Sequence, residues 1–248
     1  MKFKRFVRNW IYAFLNPHMP WAIVYLPRYI RHWLLYQKAS GKALTKADSF
    51  PCLTDWVPHT PFDAHYFYQA AWLARQLADA RPEMHVDVGS DVRMINVLSA
   101  FVKTEFVDFR PLPVVLRGLE CKAGNITSLG HESSSIASLS CLHVIEHIGL
   151  GRYGDPIDPA GSEKALNELK RVLASRGRLY LSLPVGRERV CFNAHRVFDP
   201  KTIITALSGF DLLEFSLVDD SGAYKESVST DAARYLDYGC GLFVFEKP

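Results

Sequence analysis

The residues able to do chemistry crowd one stretch of the chain. Glu146, His147, Arg152, Tyr153, Asp155 and Asp158 fall within thirteen positions, interrupted by Gly149, Gly151, Gly154 and Pro156. Glycine permits positive φ and close backbone approach, and proline fixes φ, so the stretch reads as a shaped loop. A second polar group follows at Asn193, His195 and Arg196, with Arg187 just ahead of it. A histidine beside a carboxylate can take the proton of a weakly acidic hydroxyl. We read His195 as the base, Glu146 or Asp155 as the group that orients it, and His147 as a further catalytic candidate. Arg152, Arg187 and Arg196, with Tyr153, Asp158 and Asn193, suit a substrate carrying phosphate or carboxylate. The simpler alternative is a rigid surface loop whose charges pair with one another. Glu146, Asp155, Asp158 and His195 also include donors for a divalent cation, but no metal is predicted. The five cysteines, Cys52, Cys121, Cys141, Cys191 and Cys240, form no C-x-x-C pair. They read as reduced thiols of a cytoplasmic protein, and their spacing does not suggest zinc.

Such residues need a frame, and residues 84–248 supply an alternation of strands and helices. His85 to Ser90 reads as a strand entering a tight turn, and Asp91 to Val102 as a helix. Thr104 to Pro111 is a second strand ending in Asp108, 21 residues after Asp87. At that spacing an acid closing the second strand meets the ribose hydroxyls of a nucleotide-like cofactor. Leu119 to Ile126 is a short strand and turn, and Ser135 to Leu142 a buried strand leading into the polar loop. Ser162 to Ala174 is an amphipathic helix, which Gly177 ends. Arg178 to Gly186 is the fifth strand, Asp199 to Leu207 a helix, and Asp211–Val218 with Gly241–Glu246 a final antiparallel pair. The alternation predicts a doubly wound, mostly parallel α/β sheet with ligands at the carboxyl ends of its strands. The polar span from Asp219 to Asp231 is a loop able to lie beside the substrate. Before the sheet, Asp63 caps a helix over Tyr66–Ala80. His65 and Tyr66 open it, where capping and packing are their simpler roles.

This order of elements, with Leu142-His143-Val144-Ile145-Glu146-His147 after the fourth strand and Gly177-Arg178-Leu179-Tyr180-Leu181-Ser182-Leu183-Pro184 as the fifth, resembles the class I S-adenosylmethionine-dependent methyltransferases over about residues 84–218. Gly149 to Pro156, Pro184-Val185-Gly186 and Phe192 to Arg196 are similar, more narrowly, to an uncharacterised methyltransferase-like family. That family is known only as a domain of unknown function and is associated with surface-polysaccharide gene clusters. The resemblance implies a seven-stranded Rossmann-like sheet and S-adenosylmethionine as cofactor, held by Asp87, Gly89, Ser90, Asp91, Asp108, Asn125, Ile126 and His143. In this scheme Ser90 offers its backbone N–H, Asp91 meets the ammonium of the methionine part, and the Asn125 carbonyl accepts from the adenine amine. One departure stands out. The methyltransferase turn after the first strand is Asp-x-Gly-x-Gly-x-Gly, and here Asp91 and Arg93 replace its second and third glycines.

The charge distribution adds a partner. Residues 1–47 hold nine basic residues and no acid, leaving 20 basic and 26 acidic residues for the remainder. Phe3, Phe6, Trp10 and Phe14 recur at helical spacing, Asn16-Pro17 and Met19-Pro20 break the pattern, and Trp21 to Tyr36 resumes it. Aromatic and basic helices of this kind lie in the interface of an anionic membrane, which we assign to residues 1–38. No nucleic acid is expected, because large aliphatics dilute the cations. The chain divides into a basic helical arm (1–47), a bridging helix (48–83) and the methyltransferase-like domain (84–248). The expected function is O-methylation of a glycan or lipid-linked sugar in surface-polysaccharide biosynthesis, at the inner face of the membrane. The alternatives are a sugar transferase or hydrolase on the same fold that does not use S-adenosylmethionine, and a non-catalytic scaffold of a polysaccharide assembly complex.

Overall fold

The computed structural model describes Lys4, Val7, Trp10 and residues 22–248. The expected helix through Phe3, Phe6 and Phe14 and the breaks at Pro17 and Pro20 lie outside the described residues. The chain forms two compact units, Met1–Pro61 and Phe62–Pro248. In the first, a 3-10 turn at Ala22–Tyr25 leads into helix α1, Leu26–Ser40, with a proline in its first turn and left-handed Gly41 at its end. Those are the usual start and stop signals of a helix. No residue of α1 is buried. The unit is held by local contacts: Arg28 donates to the Leu53 carbonyl at 2.7 Å and lies 4.6 Å over the Trp56 ring.

The second unit opens with α2, Ala64–Ala80, capped by Asp63, which accepts from the Tyr66 N–H at 3.2 Å. Then come β1 (Met84–Val88), α3 (Val92–Leu98), β2 (Lys103–Asp108), β3 (Leu119–Ala123), β4 (Ile136–Leu142), α4 (Gly161–Val172) and β5 (Leu173–Val185). A hairpin of β6 (Arg189–Cys191) and β7 (His195–Val197) precedes α5 (Pro200–Ala206), β8 (Asp211–Val218), β9 (Tyr224–Lys225) and β10 (Gly239–Glu246). The sheet runs β3-β2-β1-β4-β5-β10-β8-β9. The first five strands in that order are parallel, and β10 runs antiparallel between β5 and β8. Strand order reverses between β1 and β4, which is where doubly wound sheets open a crevice for ligands. Leu139, Leu166, Leu169 and Leu181 centre one apolar cluster; Trp72, Leu73, Leu77, Ile95 and Phe106 centre the other.

The doubly wound α/β expectation holds, with differences in detail. Two residues of the polar span 219–231 add an eighth, edge strand, because β9 pairs with Leu217 and Val218 of β8. Helix α4 stops at Val172 and Gly177 lies inside β5. A Cβ on Gly177 would stand 2.8 Å from the Ala174 carbonyl oxygen and 3.0 Å from that of Ile136, so the glycine serves a close strand approach instead of a helix end.

Candidate active site

A cavity of about 480 Å³ opens at the carboxyl ends of β1, β2 and β4. Gly89, Asp91, Arg93, Asp108, Asn125, Ile126, His143, His147, Tyr153, Asp155 and Asp158 all contribute to its wall, as does Tyr66 from α2. Gly89 has φ 73°, which favours glycine, and a Cβ there would meet the Val144 methyls at 3.2 Å. The Asp108 Oδ2 atom lies only 3.7 Å from the same point, while Oδ1 accepts from the Arg110 N–H at 2.6 Å. Glycine is required here by the positive φ and the Val144 methyls, and the Asp108 carboxylate lies beside the turn.

Four residues expected to hold the cofactor are engaged elsewhere. Asp87 is fully buried and stays behind the turn. It takes the Ser90 N–H at 3.1 Å and the Ser90 hydroxyl at 2.7 Å, so Ser90 has no backbone donor left for a ligand. Asp91 caps α3 by accepting from the Arg93 N–H at 2.9 Å, and its carboxylate grips the Arg93 guanidinium. That hydrogen bond holds the Asp91 carboxyl below its ordinary pKa and occupies the charge assigned to an ammonium group. The Asn125 carbonyl accepts from the Thr127 N–H at 3.0 Å and from its hydroxyl at 2.9 Å. Only the amide NH₂ remains for a ligand, the reverse of the expected polarity.

Behind the turn runs a buried polar chain. Ser138 donates to His85 Nδ1 at 2.8 Å, His85 Nε2 donates to Ser140 Oγ at 2.8 Å, and Ser140 donates to Asp87. The Ser90 hydroxyl accepts from the Leu142 N–H at 3.0 Å. Burial pushes Asp87 up to about 6 against these hydrogen bonds and pushes His85 down to about 3.

The loop after β4 is tightly knit. Gly149 at φ 81° lies so close to the Asp158 carbonyl that a Cβ would meet it at 1.9 Å. Asp155 accepts from the Gly149 N–H at 2.7 Å and the Tyr153 N–H at 3.3 Å. Asp158 caps Ala160 at 3.0 Å and pairs with Lys164 at 2.7 Å. Buried Arg196 donates to the Ile148 carbonyl at 2.7 Å and the Pro159 carbonyl at 3.4 Å. Asp155 therefore does not orient His195, and Arg196 holds the loop instead of a substrate. Arg152 donates to the Ala194 carbonyl at 2.9 Å, and the Tyr153 ring sits between the Arg152 and Arg110 guanidinium groups at 5.1 and 4.6 Å. Exposed Arg187 and Asn193 are not part of the cavity wall.

The catalytic candidates divide in the same way. Glu146 is 1% exposed and receives His143 Nδ1 at 2.8 Å, so it orients His143 and not His195. His143 takes φ 54°, a left-handed turn that sends the chain from β4 into the 3-10 helix Ile145–His147. Burial disfavours its charged form, but Cys240 and Glu146 outweigh burial and raise its pKa. His147 donates Nδ1–H to the Ala194 carbonyl at 2.6 Å, and its Nε2 lies 3.7 Å from Glu146 Oε1. Burial lowers its pKa, so the ring is neutral at pH 7 with Nε2 as acceptor. His195 packs against Tyr238, with centroids 4.8 Å apart, and is not part of the cavity wall. Among the described residues Glu146, Asp155, Asp158 and His195 do not form one cluster of donor atoms. Sequence reasoning missed Cys240 and Tyr238 and undervalued His65. The His65 ring stacks on His143 at 5.5 Å and on Tyr238 at 5.1 Å, and no motif or spacing links these residues.

Known proteins share this architecture. A family model described as a Caenorhabditis protein of unknown function, DUF268, matches residues 127–234, which include the knit loop and the hairpin. No curated protein matches the sequence. Among solved structures, the N-methyltransferase NodS from Bradyrhizobium japonicum, in complex with S-adenosylhomocysteine, is 15% identical, with a TM-score of 0.50 over 80% of this chain and 92% of that one. The [4+2]-cyclase SpnF is 14% identical, with a TM-score of 0.52 over 71% of this chain and 80% of that one. The YcgJ protein from Bacillus subtilis is 12% identical, with a TM-score of 0.50 over 73% and 99%. The chain has a class I methyltransferase fold. At these identities only the fold is shared, and SpnF carries it as a cyclase.

Proposed function

We propose that the chain is an S-adenosylmethionine-dependent methyltransferase acting on a hydroxyl group. One observation carries the reading. A single cavity at the strand-order reversal is lined both by Asp108, at the end of β2 beside Gly89, and by His147. The cavity also fits the cofactor in size, since ligand sites span roughly 300–1,000 Å³. When bound, S-adenosylmethionine supplies an electrophilic methyl group. In this reading Asp108 accepts from the ribose hydroxyls, and the Asn125 NH₂ and Ile126 flank the base. His147 Nε2 takes the proton of the acceptor hydroxyl while Ala194 fixes the ring.

The acceptor we assign is a glycan or lipid-linked sugar of a surface polysaccharide, presented at the inner face of a membrane. The first unit supports the location. Ile23, Leu34 and Tyr36 are 60%, 58% and 62% exposed on and before α1, interleaved with Arg28, Arg31 and Lys38, as interfacial helices require. No helix among the described residues is long and apolar enough to cross a membrane. Co-sedimentation with anionic but not neutral vesicles tests this assignment; equal recovery from both removes it.

Titration calorimetry with S-adenosylmethionine and S-adenosylhomocysteine tests the cofactor. Micromolar binding that weakens about 10–100-fold in Asp108→Ala supports the reading. A second reading rests on the Asp91–Arg93 pair, which stands where the motif has glycines: an enzyme of this fold that takes a nucleotide sugar in the same cavity. Binding of a nucleotide sugar and of neither methionine derivative selects it.

A further inference from the structure

We propose that His65, His143 and Cys240 form a zinc-binding site beside the cavity. One donor atom from each lies within 4.8 Å of the other two. His143 Nε2 is already 3.3 Å from Cys240 Sγ. Zinc bonds of about 2.0–2.1 Å to nitrogen and 2.3 Å to sulfur place tetrahedral donors about 3.3–3.6 Å apart. Only His65 has to move, and it sits in the first turn of α2, half-buried, where its χ angles can absorb the change.

Three further features fit an ion better than a packed core. First, the buried imidazole is tethered from behind. His143 gives Nδ1–H to the Glu146 carboxylate at 2.8 Å, and the His65 ring is packed between His143 and Tyr238. A carboxylate behind the ring is the usual outer support of a metal-bound histidine. Second, Glu146 Oε2 is buried with no hydrogen-bond partner among the described residues. A zinc ion on His143 Nε2 and Cys240 Sγ would stand where the hydrogen bond between them now lies. Zinc, one thiolate and one carboxylate sum to zero, so the cluster buries an ion without a net charge. Third, a thiolate with two imidazoles is a donor set for zinc and not for magnesium or calcium, which take oxygen. Three protein donors leave a fourth position for water or a substrate oxygen. Of the three ligands His143 also lines the cavity. The site does not depend on the methyltransferase reading.

The test uses the full chain with zinc alone, in the absence of any methionine derivative. Protein stripped with a chelator, titrated with zinc chloride and dialysed is expected to retain one zinc per chain. Substituted with cobalt(II), it is expected to show the visible bands of a tetrahedral site and a thiolate-to-cobalt charge-transfer band. Cys240→Ser abolishes that band. His65→Gln, a change outside the core that preserves folding, lowers retained zinc to a small fraction. Glu146→Gln weakens zinc about 10–100-fold, the usual cost of losing such a support. Circular dichroism confirms that each variant is folded. No stoichiometric zinc in the folded wild-type chain, or wild-type zinc affinity in either folded His65→Gln or Cys240→Ser, overturns the proposal.

Discussion

His85 and His143 are both buried, and both belong to polar chains that include a buried carboxylate, yet the surroundings give them opposite characters. His85 meets two serine hydroxyls and reaches Asp87 only through one of them. Every hydrogen bond in that chain closes, down to the Leu142 N–H, and burial drives the imidazole to about 3. It is a neutral strut that sets the turn under the cavity. His143 meets a carboxylate on one nitrogen and a thiol on the other, and its pKa moves upward. That cluster is incomplete: Glu146 Oε2 has no hydrogen-bond partner among the described residues, and His65 stacks without closing the set. A satisfied buried network rigidifies a fold, whereas an unsatisfied one points to something still to be bound.

Substitutions should separate the two clusters. The largest expected effect is on stability, at Asp87→Ala. It strands the Ser90 N–H and the Ser90 and Ser140 hydroxyls in the core, at about 1–3 kcal/mol each, so urea unfolding should show a loss of about 4 kcal/mol. A loss below 1 kcal/mol would mean that the strut carries no load. Next is the rate. His147→Gln should lower kcat about 100-fold or more on an accepted hydroxyl substrate, with S-adenosylhomocysteine affinity unchanged. An unchanged kcat removes His147 as base. Asp108→Ala should weaken S-adenosylhomocysteine about 10–100-fold by calorimetry, through a charge-assisted hydrogen bond worth about 1.5–3 kcal/mol.

The pH dependence of stability sharpens the contrast further. Asp87 has a folded pKa of about 6 against 3.8 for the free side chain, so the fold favours its protonated form. The stability it contributes is fully present below about 3.8 and is lost as pH rises through about 6. Wild-type stability relative to Asp87→Asn should therefore fall across that window, by about 2–3 kcal/mol. A flat difference shows that Asp87 is held charged. The smallest effect is expected at Arg93→Ala. Its side chain is 79% exposed and its partner Asp91 still caps α3, so folding and cofactor binding should change little. A tenfold gain in affinity would instead identify the pair as an obstruction at the cavity rim.

Much of this was legible in the chain. Alternating apolar strands and amphipathic helices marked the sheet, because the periods of two and 3.6 residues follow from burying one face of each element. Asp108 at the end of β2 and the shaped loop from Glu146 to Asp158 were readable from spacing and glycine content. What the loop's polar residues do was not. Asp155, Asp158 and Arg196 have the side chains of a catalytic centre, but they hold backbone groups of the loop itself. A carboxylate satisfies an N–H as readily as it takes a substrate proton, and sequence does not say which lies nearer.

The sequence by itself determined the α/β alternation and the acid at the end of β2, because local periodicity and element order are written residue by residue. Only the tertiary structure decided the partners. His65, His143 and Cys240 come from the start of α2, the residue just after β4 and the start of the core strand β10. They meet because β10 inserts antiparallel beside β5, whose Ser182 carbonyl also holds the His143 N–H at 2.9 Å. Contacts between residues so far apart in the chain depend on strand order and register, which no local pattern encodes.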